Sequence, residues 1–174
     1  KEMLDTARSL AVSLTNSFLD GLHRFLQGRL ALAQGDHGDA ESRLHEALEI
    51  QRDAALLPGL LRTMESIASI LVSKEKTEDA ARVLTFIDQS RTEIRLVRGA
   101  AEESEYHVLR SALIQHLGSE AFSALQSSAT QSDLEDIVGL ISRMRGKRAQ
   151  SLSGWASLTK TERRVAGLAT EGLS

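Results

Sequence analysis

"GRLALAQGDHGDAESRLHEALEI", residues 28–50, sets two amphipathic runs on either side of a polar turn. Small or apolar residues stand at Gly28, Ala40, Leu44 and Ala47, separated by twelve, four and three positions. The same spacing returns at Ala68, Ala80, Leu84 and Ile87, and more loosely at Leu109, Ala121, Leu125 and Ser128. The marker alanines are therefore 40 and then 41 residues apart. In a helix–turn–helix unit the two helices cross closely just beyond the turn. Gly or Ala at the crossing lets the backbones approach, and Leu one turn later fills the space between them. Each pair then keeps an apolar face that only a neighbouring pair can cover. The turns "QGDHGD" (34–39) and "KEKTED" (74–79) end on acidic residues, which suit the positive end of a helix.

Composition agrees with an all-helical chain. Of 174 residues, 41% are apolar but only 3% aromatic, with a single Pro. That mixture favours close helix packing over a sandwich of β-branched and aromatic strands. There is no Cys, which excludes disulfides and thiolate metal sites and fits a reducing compartment. No apolar run approaches the ~20 residues needed to span a bilayer, and no signal peptide opens the chain. The expected setting is the cytoplasm, with no membrane partner. The chain opens on Lys1 and reads as a fragment of a longer protein.

Net charge is −3, unevenly spread. Residues 143–174 hold seven basic and two acidic groups, leaving 14 basic against 22 acidic in 1–142. The body would repel nucleic acid and the tail would attract it. The division expected from this is a repeat domain over 1–142, a basic helix end and linker over 143–156, and a further segment over 157–174. Periodicity predicts helices at 1–14, 17–34, 38–53, 57–73, 77–96, 101–117, 119–127, 132–146 and 160–171, with Ser132 capping the eighth.

The repeats resemble tetratricopeptide repeats, above all in "GDHGDA" followed by "ALEI" (47–50). The usual period there is ~34 residues, so the helices here are longer. The fold expected is antiparallel helix pairs stacked as an α-solenoid of period about 40. An irregular helical bundle is the alternative. If first helices of each pair line the concave face, as the resemblance implies, Arg29, Arg62, Glu65, Tyr106 and Arg110 stand there as candidate partner contacts.

The tail "SLTKTERRVAGLATEGLS" (157–174) is a capped helix followed by a turn. Thr159 and Glu162 form a capping box, Val165, Ala166, Leu168 and Ala169 an apolar stripe, and Gly172 a helix stop. It resembles the start of the LuxR-type helix-turn-helix domain in Leu158, Thr159, Glu162, Val165, Gly172, Leu173 and Ser174. Arg164 and Ala166 depart from the usual pattern. Upstream, "LALAQGDHGDA" and "HLGSEAFSALQSSATQSDLEDIV" (116–138) look like the helical-repeat region of large multidomain LuxR-type activators. The resemblance implies a regulatory segment that senses a small-molecule inducer or a protein partner. It also implies DNA contact only through the rest of the helix-turn-helix domain, whose reading helix lies beyond Ser174. Lys160, Arg163 and Arg164 are candidate phosphate contacts there, and a homodimer is one partner state to expect. A lone ~11-residue helix is marginal in water, so Val165, Leu168 and the Trp155 region are expected to dock on the repeats or on another copy. The competing reading is a generic peptide-binding adaptor unrelated to transcription.

Catalytic patterns are missing. "GKR" (146–148) lacks the upstream glycines and the Ser or Thr of a phosphate loop, so any ATPase module would lie before Lys1. His45-Glu46 lacks the second His of a zinc-protease helix, because Glu49 occupies that place. No Gly-x-Ser-x-Gly elbow occurs. Neither enzyme activity nor a cofactor is expected in this chain.

Overall fold

The structure, a computed structural model, describes residues 2–128 and 132–144. Seven helices occupy them, and there is no strand among the described residues: α1 (Glu2–Ala33), α2 (His37–Asp53), α3 (Leu57–Ser73), α4 (Thr77–Glu93), α5 (Ala100–Leu117), α6 (Ser119–Ser128) and α7 (Leu134–Met144). Lys1–Arg143 form one compact unit and Met144–Ser174 a second. The tail motif, with Trp155, Lys160, Arg163, Arg164, Val165 and Leu168, lies outside the described residues, so its expected docking is not addressed by them.

Local chemistry sets the boundaries. Asp36 caps α2 by accepting from the Asp39 amide at 2.9 Å. Pro58 sits in the first turn of α3, where its missing N–H costs nothing. Glu78 and Asp79 occupy the first turn of α4. Asp133, not Ser132, caps α7, with its carboxylate accepting from the Asp136 amide at 2.8 Å.

The stops of the first four helices share one device. Gly35, Ala55, Glu75 and Arg95 all have positive φ, between 53° and 76°. After each, the next amide bonds back five residues: Asp36 to Ala31, Leu56 to Gln51, Lys76 to Leu71 and Leu96 to Arg91, all at 2.8–2.9 Å. These are Schellman stops at intervals of twenty residues. The forty-residue period of the sequence is thus two helix-plus-turn steps of twenty. Three of the four left-handed positions carry a side chain, which costs about 1 kcal/mol each. Ala55→Gly, Glu75→Gly and Arg95→Gly are each expected to raise the melting temperature by a few degrees in a thermal scan.

Neighbours in sequence pack together: α1 on α2, α2 on α3, α3 on α4, with α5 against α3, α4 and α6. The spaced markers lie where the helices cross. Ala40, Leu44, Ala47, Ala68, Ala80, Leu84 and Ile87 are essentially inaccessible. A Cβ on Gly28 would sit 2.7 Å from Leu44 Cγ, so only Gly fits without movement. The third copy departs from the spacing: Ala121 is exposed and Phe122 is buried in its place. A large ring one position later fills the space that a small residue and a Leu share in the other pairs.

One boundary differs more. The expected break between 14 and 17 is absent, and α1 runs unbroken through Thr15 and Asn16. Thr15 is accommodated because its Oγ1 donates to the Ala11 carbonyl at 2.8 Å. α1 therefore has 32 residues against 17 for each of α2, α3 and α4.

Candidate functional site

Buried polar groups gather where α3, α4 and α5 meet. Two buried polar side chains, Gln51 and Arg91, stand forty residues apart at matching places near the ends of their helices. Gln51, two residues before the end of α2, is buried and accepts from Thr63 Oγ1 of α3 at 2.7 Å. It also lies within about van der Waals reach of the Cβ positions of Gly21 and Gly59. One repeat later the same place is Arg91, on α4, whose side chain is 4% exposed. The amide that Gln51 extends toward α3 is here a guanidinium extended toward carboxylates. Arg91 Nη2 donates to Glu65 of α3 at 3.3 Å and stands 3.8 Å from Glu102 of α5. Its Nε is the one buried side-chain polar atom among the described residues with no hydrogen-bond partner.

Arg98, in the α4–α5 loop, doubles this arrangement. Its Nη2 donates to Asp88 at 2.6 Å and its Nε to Glu65 at 2.8 Å. Its guanidinium lies 3.9 Å from the centre of the Tyr106 ring, a cation–π stack. The Tyr106 hydroxyl donates to the other oxygen of Asp88 at 2.9 Å. Toward solvent the seam continues through Arg62 Nε to Glu102 at 2.7 Å and Arg29 to Glu105, held by two bonds of 2.6 and 2.5 Å.

Of the five residues expected on a shared face, the structure brings four into this seam: Arg29, Arg62, Glu65 and Tyr106. Their charges are turned on one another rather than left open. Arg110 makes no ion pair in the seam but borders it: its charge acts on Tyr106, and its guanidinium lies 5.7 Å from the centre of the Phe122 ring of α6. Sequence reasoning missed Arg91, Asp88, Arg98, Glu102 and Glu105. The forty-residue step from Gln51 to Arg91 could have found the first of them.

Titration follows burial. Glu65 is pushed above its ordinary value, because desolvation outweighs the favourable fields of Arg91 and Arg98. Glu105, more exposed, is held below its ordinary value by its hydrogen bonds from Arg29. Tyr106 is pushed up to about 12, first by burial and then by the charge of Asp88. It is the only Tyr in the chain, so its titration can be read without ambiguity. A phenol pKa raised in the folded state means that the native protein holds its proton longer than the unfolded chain. Absorbance titration is expected to show no tyrosinate near pH 10 in the native protein, and stability should fall as pH rises from about 10 toward 12. Asp88→Asn should bring the native titration down toward the ordinary range.

Asp88 also lines a shallow cleft of about 580 Å³ between α4 and α6, with Thr85, Gln89, Thr92, Ser123 and Gln126. Its lining offers hydroxyls, amides and carboxylates but no basic group. Among the described residues, no group of three or more His, Asp or Glu is placed to hold a metal ion. No helix among them is long and apolar enough to cross a membrane.

The described residues thus offer a seam of internal ion pairs with a shallow cleft beside it. The chain is 28% identical over 164 residues to proteins of Mycobacterium tuberculosis and Mycobacterium bovis, each called "Putative HTH-type transcriptional regulator". The match covers 94% of this chain but only 19% of each relative. It links the chain to transcription regulation. No protein-family profile and no solved structure matches it.

Proposed function

We propose that this chain is the helical-repeat segment of a LuxR-type transcriptional regulator that works in the cytoplasm. It is built as a TPR-like α-solenoid and carries a signal from a small-molecule inducer or protein partner to a helix-turn-helix domain beginning near residue 157. The observation that carries the reading is the likeness to helix-turn-helix regulators along 94% of the chain. The terminal Leu-Thr-x-x-Glu cap and Glu-Gly-Leu-Ser turn fall within the same chain and support it.

In this reading the seam sets the relative position of the pairs, and the cleft beside Asp88 receives the effector. Asp88 belongs to both, so a ligand that donates a hydrogen bond to its carboxylate competes with Arg98 and Tyr106 and loosens their hold. DNA contact belongs to the complete helix-turn-helix domain, with Lys160, Arg163 and Arg164 reaching phosphates. The test compares residues 1–144 with the longer protein carrying the whole helix-turn-helix domain, by DNA binding at several salt concentrations. The longer protein is expected to bind with affinity falling steeply as salt rises, and 1–144 to bind nothing. Failure of the longer protein to bind DNA overturns the reading in favour of a generic adaptor.

A further inference from the structure

α3 is enclosed on two sides, α1 on one. The row Gly59, Thr63, Ser66, Ile70 of α3 turns back toward α2. Gln51 lies within 3.1 Å of a Cβ built on Gly59 and bonds to Thr63. Thr63, Ser66 and Ile70 are at most 4% exposed. Forty residues earlier the same row of α1 is Leu19, His23, Leu26 and Leu30. It lies opposite the face that meets α2 through Gly21 and Gly28. Leu19, Leu26 and Leu30 are 54%, 55% and 59% exposed, and His23 is exposed too. A row that is core in one repeat lies bare in the one before it.

The missing occupant is encoded in the chain. The helix that covers the row on α3 is α2, with Leu44, Ala47 and Gln51 in its buried face. Forty residues before these stand Leu4, Ala7 and Ala11. The stops at 35, 55, 75 and 95 extrapolate back to residue 15, beside Asn16, a residue that tolerates left-handed backbone. We propose that residues 2–14 fold back by a turn at Thr15–Asn16 and dock along Leu19, His23, Leu26 and Leu30. There they act as the second helix of a preceding pair. The inference rests on the repeat reading given above but not on its link to DNA.

The straight α1 and the folded-back arm are two states of one segment. Straight, the arm keeps its helical hydrogen bonds through residue 15 and leaves the stripe in water. Folded back, it covers the stripe but must place Thr15 or Asn16 in left-handed backbone. Thr is β-branched and resists that conformation. Relatives about five times longer than the match could supply the helix that would complete the pair on the arm's other side.

The chain has no Cys, so a paired substitution reads the state directly. Ala11 and His23 are the counterparts of Gln51 and Thr63, whose side chains touch. In a straight helix, twelve residues put them ~18 Å apart, far beyond disulfide reach. Ala11→Cys with His23→Cys in the 174-residue chain is expected to form an intrachain disulfide under mild oxidation. Adding Thr15→Gly should speed its formation about tenfold or more, because Gly favours the turn and disfavours the straight helix. Adding Thr15→Ala should slow it. Mass and gel mobility separate the outcomes. An interchain disulfide alone means that a second copy occupies the stripe, and no disulfide with either residue at 15 means that the arm stays straight. Each of these overturns the proposal, while DNA binding by the longer protein is unaffected by either.

Discussion

Leu44→Ala is expected to lower the stability of the helical unit by about 2–5 kcal/mol, the range for deleting a fully enclosed Leu side chain. Leu44 is completely inaccessible at the crossing of α1 and α2. Its Cγ and Cδ2 occupy the space that a Cβ on Gly28 would need, at 2.7 and 2.9 Å. That contact makes the prediction more specific than a core truncation. Gly28→Ala alone should cost about 1–3 kcal/mol through overpacking, offset in part by about 1 kcal/mol of helix propensity. With Leu44 already cut to Ala, the two nearest obstacles are gone, the backbone nitrogen of residue 44 stands at 3.2 Å, and the same change should be neutral or stabilising. Denaturant titrations of the four proteins form a double-mutant cycle with an expected coupling of about 1–3 kcal/mol. Additive single effects would mean that the close crossing does not exist in solution.

Arg91→Met is expected to cost about 3–5 kcal/mol at neutral pH, because removing one member of a buried ion pair strands the other. Glu65 would keep Arg98, and Glu102 would keep Arg62, which places the cost toward the lower end. Arg91→Lys should recover little, since a point charge cannot serve carboxylates on two helices. The loss should also depend on pH. Burial raises the Glu65 carboxyl above 4.5, so the folded state binds its proton more tightly than the unfolded chain. Its ionisation therefore costs stability as pH rises through the folded value, and that cost is absent below the unfolded one. Without Arg91 the folded value climbs further and the window widens. The gap between Arg91→Met and the parent should narrow as the solution is made acidic. A gap that stays constant would show that Arg91 acts by packing alone. By contrast Arg29→Ala breaks a pair whose members are 39% and 55% exposed, and should cost under about 1 kcal/mol.

The boundaries of α2 and α3 were legible because each depends on residues within one turn. Asp36, Pro58, Gly118 and the acidic first turns stop or start a helix wherever the chain places them. The crossings of the first two pairs were legible too, since Gly28, Ala40 and Leu44 repeat as Ala68, Ala80 and Leu84. The seam was half legible. The repeat resemblance set Arg29, Arg62, Glu65 and Tyr106 on one face. Their partners could not be placed, because Asp88, Arg98 and Glu102 each stand well over one helical turn along the chain from the group they pair with, and nothing local pairs them. Arg110, which the repeat resemblance set beside them, has its guanidinium 5.7 Å from the centre of the Phe122 ring.

Thr15 and Asn16 mark the division most clearly. Periodicity asks for a turn there, and the structure runs a helix through it. A turn needs a neighbour to cover what it brings together, and α1 has neighbours on one side only. The sequence alone determined an all-helical chain and the small residues at the crossings of the first four helices, because propensity and spacing act locally. Only the tertiary structure decided which charges meet, that Gln51 and Arg91 serve one structural position, and which row of α1 stays bare. Those outcomes depend on distances between helices that no single stretch of the chain contains.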